Sequence, residues 1–84
     1  MSYTVHLKQS AEKELQRLPP STHNRIVKHL LQLETNPRPR GVKKLKAQEA
    51  YRMRVGDYRI LYLIDDSTRL IDVIAIGHRR EVYR

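Results

Sequence analysis

Y-R-M-R-V-G-D-Y-R-I-L-Y-L-I, residues 51–64, consists of two β-rich runs hinged on Gly56-Asp57. A two-residue loop that opens with glycine is a tight hairpin turn of the primed type. Counting outward from that loop predicts the register: Val55 faces Tyr58, Arg54 faces Arg59, Met53 faces Ile60 and Tyr51 faces Tyr62. Strand side chains alternate in direction. Tyr51, Met53, Val55, Tyr58, Ile60 and Tyr62 therefore share one face, and Arg52, Arg54 and Arg59 share the other. Like charges directly opposite each other destabilise a sheet by about 0.2–1 kcal/mol. The arrangement becomes favourable once an anion lies between the guanidinium groups, and phosphate is the obvious candidate.

Upstream, Y-T-V-H-L (residues 3–7) alternates and is rich in β formers, which predicts a short first strand. Ser10 is a candidate cap for a helix whose first turn carries Glu12 and Glu14 and whose apolar stripe is Ala11, Leu15 and Leu18. Pro19-Pro20 ends that helix, and Ser21 can cap a second, predicted over residues 21–35, with Ile26, Val27, Leu30, Leu31 and Leu33 at helical spacing. Helices joined this tightly form a hairpin. N-P-R-P-R-G (residues 36–41) opens a basic loop reaching to about residue 50. Beyond the β-hairpin, D-D-S-T-R (residues 65–69) is a second turn. The apolar L-I-D-V-I-A-I-G (residues 70–77) predicts a further strand covered on both faces. The predicted order is β-α-α-β-β-β: an α+β domain, with a helical hairpin on one face of a small, twisted, largely antiparallel sheet. The opposite face is left to carry the arginines.

A chain of 84 residues forms one small domain without a deep interior. With no cysteine it has neither a disulfide framework nor a thiolate metal site. No run approaches the length of a membrane span, and M-S-Y-T-V-H lacks a signal-peptide core, so the expected setting is the cytosol, away from membranes. Lys and Arg number 17 against 9 acids, a formal charge of +8. The excess is clustered: Arg38, Arg40, Lys43, Lys44, Lys46, Arg52, Arg54 and Arg59 are accompanied in that stretch by Glu49 and Asp57 alone. Such a patch is the footprint of a nucleic-acid or ribosome binder, the alternative partner being an acidic protein.

Several chemistries are set aside. His6, His23, His29 and His78 lack metal-ligand spacing, and no cofactor is expected. Gly41, Gly56 and Gly77 are isolated, so no phosphate-cradling glycine loop exists. What remains is arginine, lysine, tyrosine and one histidine near the strand ends, which suits phosphodiester chemistry without metal. Guanidinium groups can hold non-bridging oxygens and stabilise charge that builds in a transition state. His78 could exchange a proton near neutrality. Tyr83 could donate to a leaving oxygen if neighbouring positive charge favours its ionised form.

The hairpin motif, followed by an apolar strand and G-H-R-R-E-V-Y-R (residues 77–84), resembles the RelE/ParE toxin superfamily, and most of all its RelE branch. That resemblance covers essentially the whole chain. It implies a ribosome-dependent mRNA endonuclease that acts in the A site by 2′-OH attack on the adjacent phosphate, without metal. It further implies neutralisation by a cognate RelB-like antitoxin, through which the complex binds operator DNA. By matching position, Arg59 would hold the scissile phosphate, Arg54 would stabilise developing charge, and Arg79 would assist at the phosphate or leaving group. Tyr83 would orient or stack the reacting nucleotide, and Lys43, Lys44 and Lys46 would contact RNA backbone. Where relatives often carry a lysine regarded as the proton acceptor, this chain has Arg52, and His78 is the expected substitute. Two other readings remain open from sequence: a ParE-like DNA gyrase inhibitor of the same fold, and a non-catalytic nucleic-acid-binding regulator.

Overall fold

Gly56 adopts φ 60°, the left-handed region that a Cβ penalises, and Asp57 stays outside it, which makes the loop a type II′ turn. Around it β3 (Ala50–Val55) and β4 (Tyr58–Asp65) pair antiparallel in the predicted register: Val55 with Tyr58, Arg54 with Arg59, Met53 with Ile60, Tyr51 with Tyr62. The computed structural model describes residues 2–45 and 50–78. Its other elements are β1 (Thr4–Leu7), α1 (Gln9–Arg17), α2 (Pro20–Leu33), β2 (Lys43–Lys44) and β5 (Leu70–His78).

The five strands form one mixed sheet in the order β1-β5-β4-β3-β2. β5 runs antiparallel to β4 and parallel to β1. Both helices pack on a single face. Ala11 and Leu15 of α1, with Ile26, Leu30 and Leu33 of α2, join Tyr51, Met53, Val55, Ile60, Tyr62, Ile64, Ile71, Val73 and Ile76 in the core. The predicted α+β architecture is therefore the observed one.

Four local expectations differ. The loop after α2 contains β2, whose Lys43 pairs with Arg52 and Lys44 with Tyr51. Two residues are too few to show an alternation in sequence. Neither predicted serine caps a helix: α1 starts after Lys8 and α2 after Pro19, and neither of those cap residues makes a side-chain capping bond. Pro20 supplies the start of α2 instead, since a proline in the first turn has no N–H to satisfy and its φ is already helical. The second helix also stops at Leu33, short of Thr35. Finally, β5 is buried on one side and half-exposed on the other, because helices cover one face only. A bulge interrupts its pairing: Leu61 opposes Ala75 while Tyr62 opposes Val73, leaving Ile74 as the extra residue.

Candidate nucleic-acid interface

The face away from the helices is built from cross-strand rows, because residues opposite each other in antiparallel strands point the same way. One row holds Arg54, Arg59 and Gly77, and the next holds Lys43, Arg52, Leu61 and Ala75. Gly77 adds no side chain beside Arg59. Arg54 is exposed and Arg52 half-buried, whereas Arg59 is 6% exposed. The Arg59 Nη1 lies 3.5 Å from the Tyr58 carbonyl, at the long limit of a hydrogen bond, and its Nε has no partner among the described residues. A buried charge is costly unless it is paired and hydrogen-bonded. Arg59 is thus a donor held at the sheet surface with bonding capacity to spare.

The basic strand divides its two lysines. Lys43 joins the arginine face opposite Arg52, and Lys44, opposite Tyr51, lies on the helix side. Both are exposed. The structure therefore brings Arg52, Arg54, Arg59 and Lys43 together and sets Lys44 apart. His78 is also set apart. It pairs with Tyr58, whose ring meets the imidazole edge-on at 5.7 Å between centroids, on the side away from Arg59. The expected substitute for a lysine at position 52 is not on the arginine face. Lys46, Arg79 and Tyr83 lie outside the described residues.

One polar cluster was not foreseen. Arg38, in the loop after α2, donates to both carboxylate oxygens of Asp66 (2.8 and 3.3 Å) and through Nε to the Tyr51 hydroxyl at 3.0 Å. Its guanidinium also lies 5.2 Å from the Tyr51 ring centroid. Tyr3 donates to Asp66 at 2.6 Å, and Tyr62 donates to the Pro37 carbonyl at 2.9 Å. The hydrogen bond from Arg38, then that from Tyr3, holds the Asp66 carboxyl below its usual range. Burial, then the neighbouring Tyr51, pushes the Tyr62 phenol up to about 12. This cluster ties the start of β1, the proline loop and the β4–β5 turn together and so anchors the loop that leads into β2. In sequence Arg38 reads as one more member of the basic patch; its partner is 28 residues away, a separation with no local signal.

The remaining histidines have evident local partners. His23 Nδ1 contacts the Leu15 carbonyl at 3.0 Å and His29 Nδ1 the Arg25 carbonyl at 2.8 Å. His6 meets its cross-strand neighbour Asp72 at 3.1 Å, exposed, near the far edge of the sheet. Among the described residues no three His, Asp or Glu side chains are grouped as a metal site would need, and no helix is long and apolar enough to cross a membrane.

Fold and face together define a small, basic α+β protein that packs two helices on one side of its sheet and presents arginines on the other. Residues 5–83 match the family model described as the ParE toxin of type II toxin–antitoxin systems. The chain is similar to toxin RelG of Mycobacterium tuberculosis, 33% identical over 87 residues that cover 100% of this chain and 99% of the relative. It is 34% identical to toxin RelE of the same organism, over 98% of this chain and 87% of that one. In structure it resembles the archaeal RelE in the RelE–RelB complex from Pyrococcus horikoshii, with TM-score 0.87, 31% identity and coverage of 98% and 100%. A chain of the M. tuberculosis RelBE2 toxin–antitoxin complex matches with TM-score 0.82 and 30% identity, over 94% and 100%. The protein belongs to the RelE/ParE family of type II toxin–antitoxin toxins and is RelE-like within it.

Proposed function

We propose that this protein is a ribosome-dependent mRNA endonuclease, a toxin held in check by a RelB-like antitoxin. The observation that carries the reading is Arg59, a buried guanidinium with an unsatisfied Nε, directly opposite Arg54 on the face away from the helices. Two like charges in register are unfavourable alone and favourable around a phosphodiester. In this reading Arg59 binds the non-bridging oxygens of the scissile phosphate. Arg54 stabilises the charge that develops as the RNA 2′-oxygen attacks, and Arg52 lowers the cost of charge on that oxygen. Arg79 and Tyr83 act at the leaving group and the nucleotide stack, and Lys46 holds RNA backbone, whereas Lys44 lies on the helix side. His78 is left out of the reacting set, because its ring lies against Tyr58 on the other side of the sheet.

A face with so few acids and bases gains most from having its substrate positioned by a larger body. Messages should therefore be cut on ribosomes in the cytoplasm and hardly at all when free. Crystallised relatives form RelE–RelB complexes, which supports a RelB-like partner here. That partner in turn would link the pair to operator DNA. The test is primer extension on a translated and on a naked message, with analysis of the ends and a chelator control. Cleavage confined to the translated message, leaving a 2′,3′-cyclic phosphate and a 5′-OH and indifferent to EDTA, is the expected result. Cleavage of free RNA that EDTA abolishes would refute the proposal. The second reading, inhibition of DNA gyrase without RNA cleavage, is favoured by the match to the ParE toxin model. Loss of supercoiling activity with the translated message intact would establish it.

A further inference from the structure

Transfer of a proton from the 2′-OH needs an acceptor near Arg59, and the register narrows the choice among the described residues. Arginine keeps its proton at any working pH, so Arg52 and Arg54 are excluded. His78 is on the helix side. His6, with Asp72, belongs to the row of Leu63, four residues along β4 from Arg59 and two strands away. That is roughly 13 Å along the sheet and roughly 10 Å across it, too far for a shared phosphodiester. Asp57 sits at the hairpin tip beyond the pair of Val55 and Tyr58. A carboxylate there would be repelled by the phosphate that the arginines attract.

We propose that Lys43 is the proton acceptor of the cleavage reaction. This rests on the ribonuclease reading above and assigns its missing base. Lys43 is exposed on edge strand β2, directly opposite Arg52, with its side chain on the arginine face. Taking the strand spacing and a two-residue offset, its Cα lies roughly 12 Å from that of Arg59, so a lysine's four-carbon stem and an arginine reaching inward converge on one phosphodiester. Among the described residues, the charged groups that share its face across the neighbouring strands are Arg52 opposite, Arg54 two residues along β3 and Arg59 on β4, and no described strand pairs with the outer side of β2. In the step, the lone pair of the neutral amine takes the 2′-OH proton. The 2′-oxygen then bonds to phosphorus, and the bond from phosphorus to the 5′-oxygen breaks with its electron pair going to that oxygen. Water supplies the proton that completes the 5′-OH, and the ammonium later returns its own to solvent.

The test is single-turnover cleavage on ribosomes across about pH 6 to about pH 9, comparing wild type with Lys43→Arg, which keeps the charge and removes the acceptor. Wild type should speed up with pH. Lys43→Arg, with an unchanged circular dichroism spectrum, should be slower by about 100-fold or more and should lose the pH dependence, the usual scale for a missing general base. A Lys43→Arg protein with the wild-type rate overturns the proposal. So does one that is slower with the pH slope intact, which would make Lys43 a phosphate ligand only. Wild-type protein that cuts no translated message at any pH overturns the ribonuclease reading itself, a result distinct from both.

Discussion

Arg59 carries its charge at 6% exposure, with one bond to a backbone carbonyl at the long limit and Nε unsatisfied. Folding alone gains little from such a group, so its removal should separate function from stability. Arg59→Ala is expected to slow cleavage by about 100–1,000-fold, the usual loss on deleting one transition-state donor. Its thermal midpoint should stay level or rise as the repulsion from Arg54 disappears. A folded Arg59→Ala protein that still halts growth would remove Arg59 from the site. Tyr62 shows the opposite balance: fully buried, it donates to the Pro37 carbonyl and has no place on the arginine face. Its phenol is raised from 10.0 to about 12. A group raised in the folded state contributes stability that is complete below the unfolded value and is lost as pH rises through the folded one. Urea midpoints should accordingly fall between about pH 10 and about pH 12, and Tyr62→Phe should flatten that decline. It should also cost about 1–3 kcal/mol at neutral pH by leaving a carbonyl without its donor.

At the scale of elements, the type II′ turn fixes which residues meet across the hairpin. Gly56 at φ 60° leaves a position that L side chains rarely adopt, although an added Cβ would find only ordinary contact with the Arg25 guanidinium at 3.5 Å. The strain, not crowding, should dominate. Gly56→Ala is expected to destabilise the protein by about 1–2 kcal/mol, read by chemical denaturation. Gly56→Asn should cost less, because asparagine tolerates the left-handed region. Equal stability of Gly56→Ala and wild type would show that the turn relaxes to another form. The other turn is held by Asp65, whose carboxylate accepts from the Ser67 hydroxyl and from the Ser67 and Thr68 amides. This explains why D-D-S-T-R reads correctly as a turn from sequence.

Across the whole molecule, a charge of +8 and a basic sheet face away from the helices predict how an antitoxin would act. An acidic, partly disordered partner that folds on binding would cover the arginine face or displace RNA from it. Association with the product of the neighbouring gene should be fast, with an on-rate that falls as salt is raised, and the complex should not cleave messages on ribosomes. Stopped-flow binding and the primer-extension assay measure the two halves. A purified complex as active as the free toxin would end this account of neutralisation.

Sequence by itself determined the hairpin register, the two-helix-on-sheet architecture and the arginine face, because each follows from local periodicity and one glycine turn. Arg54 opposite Arg59 could be counted out from Gly56-Asp57, and β3 and β4 pair in that register. Tertiary structure alone decided three things. The two residues of β2 become a strand only by pairing with β3, and that pairing sends Lys43 and Lys44 to opposite faces. The extra residue at Ile74 shifts the register of β5; a bulge of one residue exchanges the faces of everything beyond it, so Gly77 and not Ile76 lies beside Arg59. The bond between Arg38 and Asp66 joins two loops 28 residues apart. All three depend on contacts between segments distant in the chain, where local propensity and alternation carry no information.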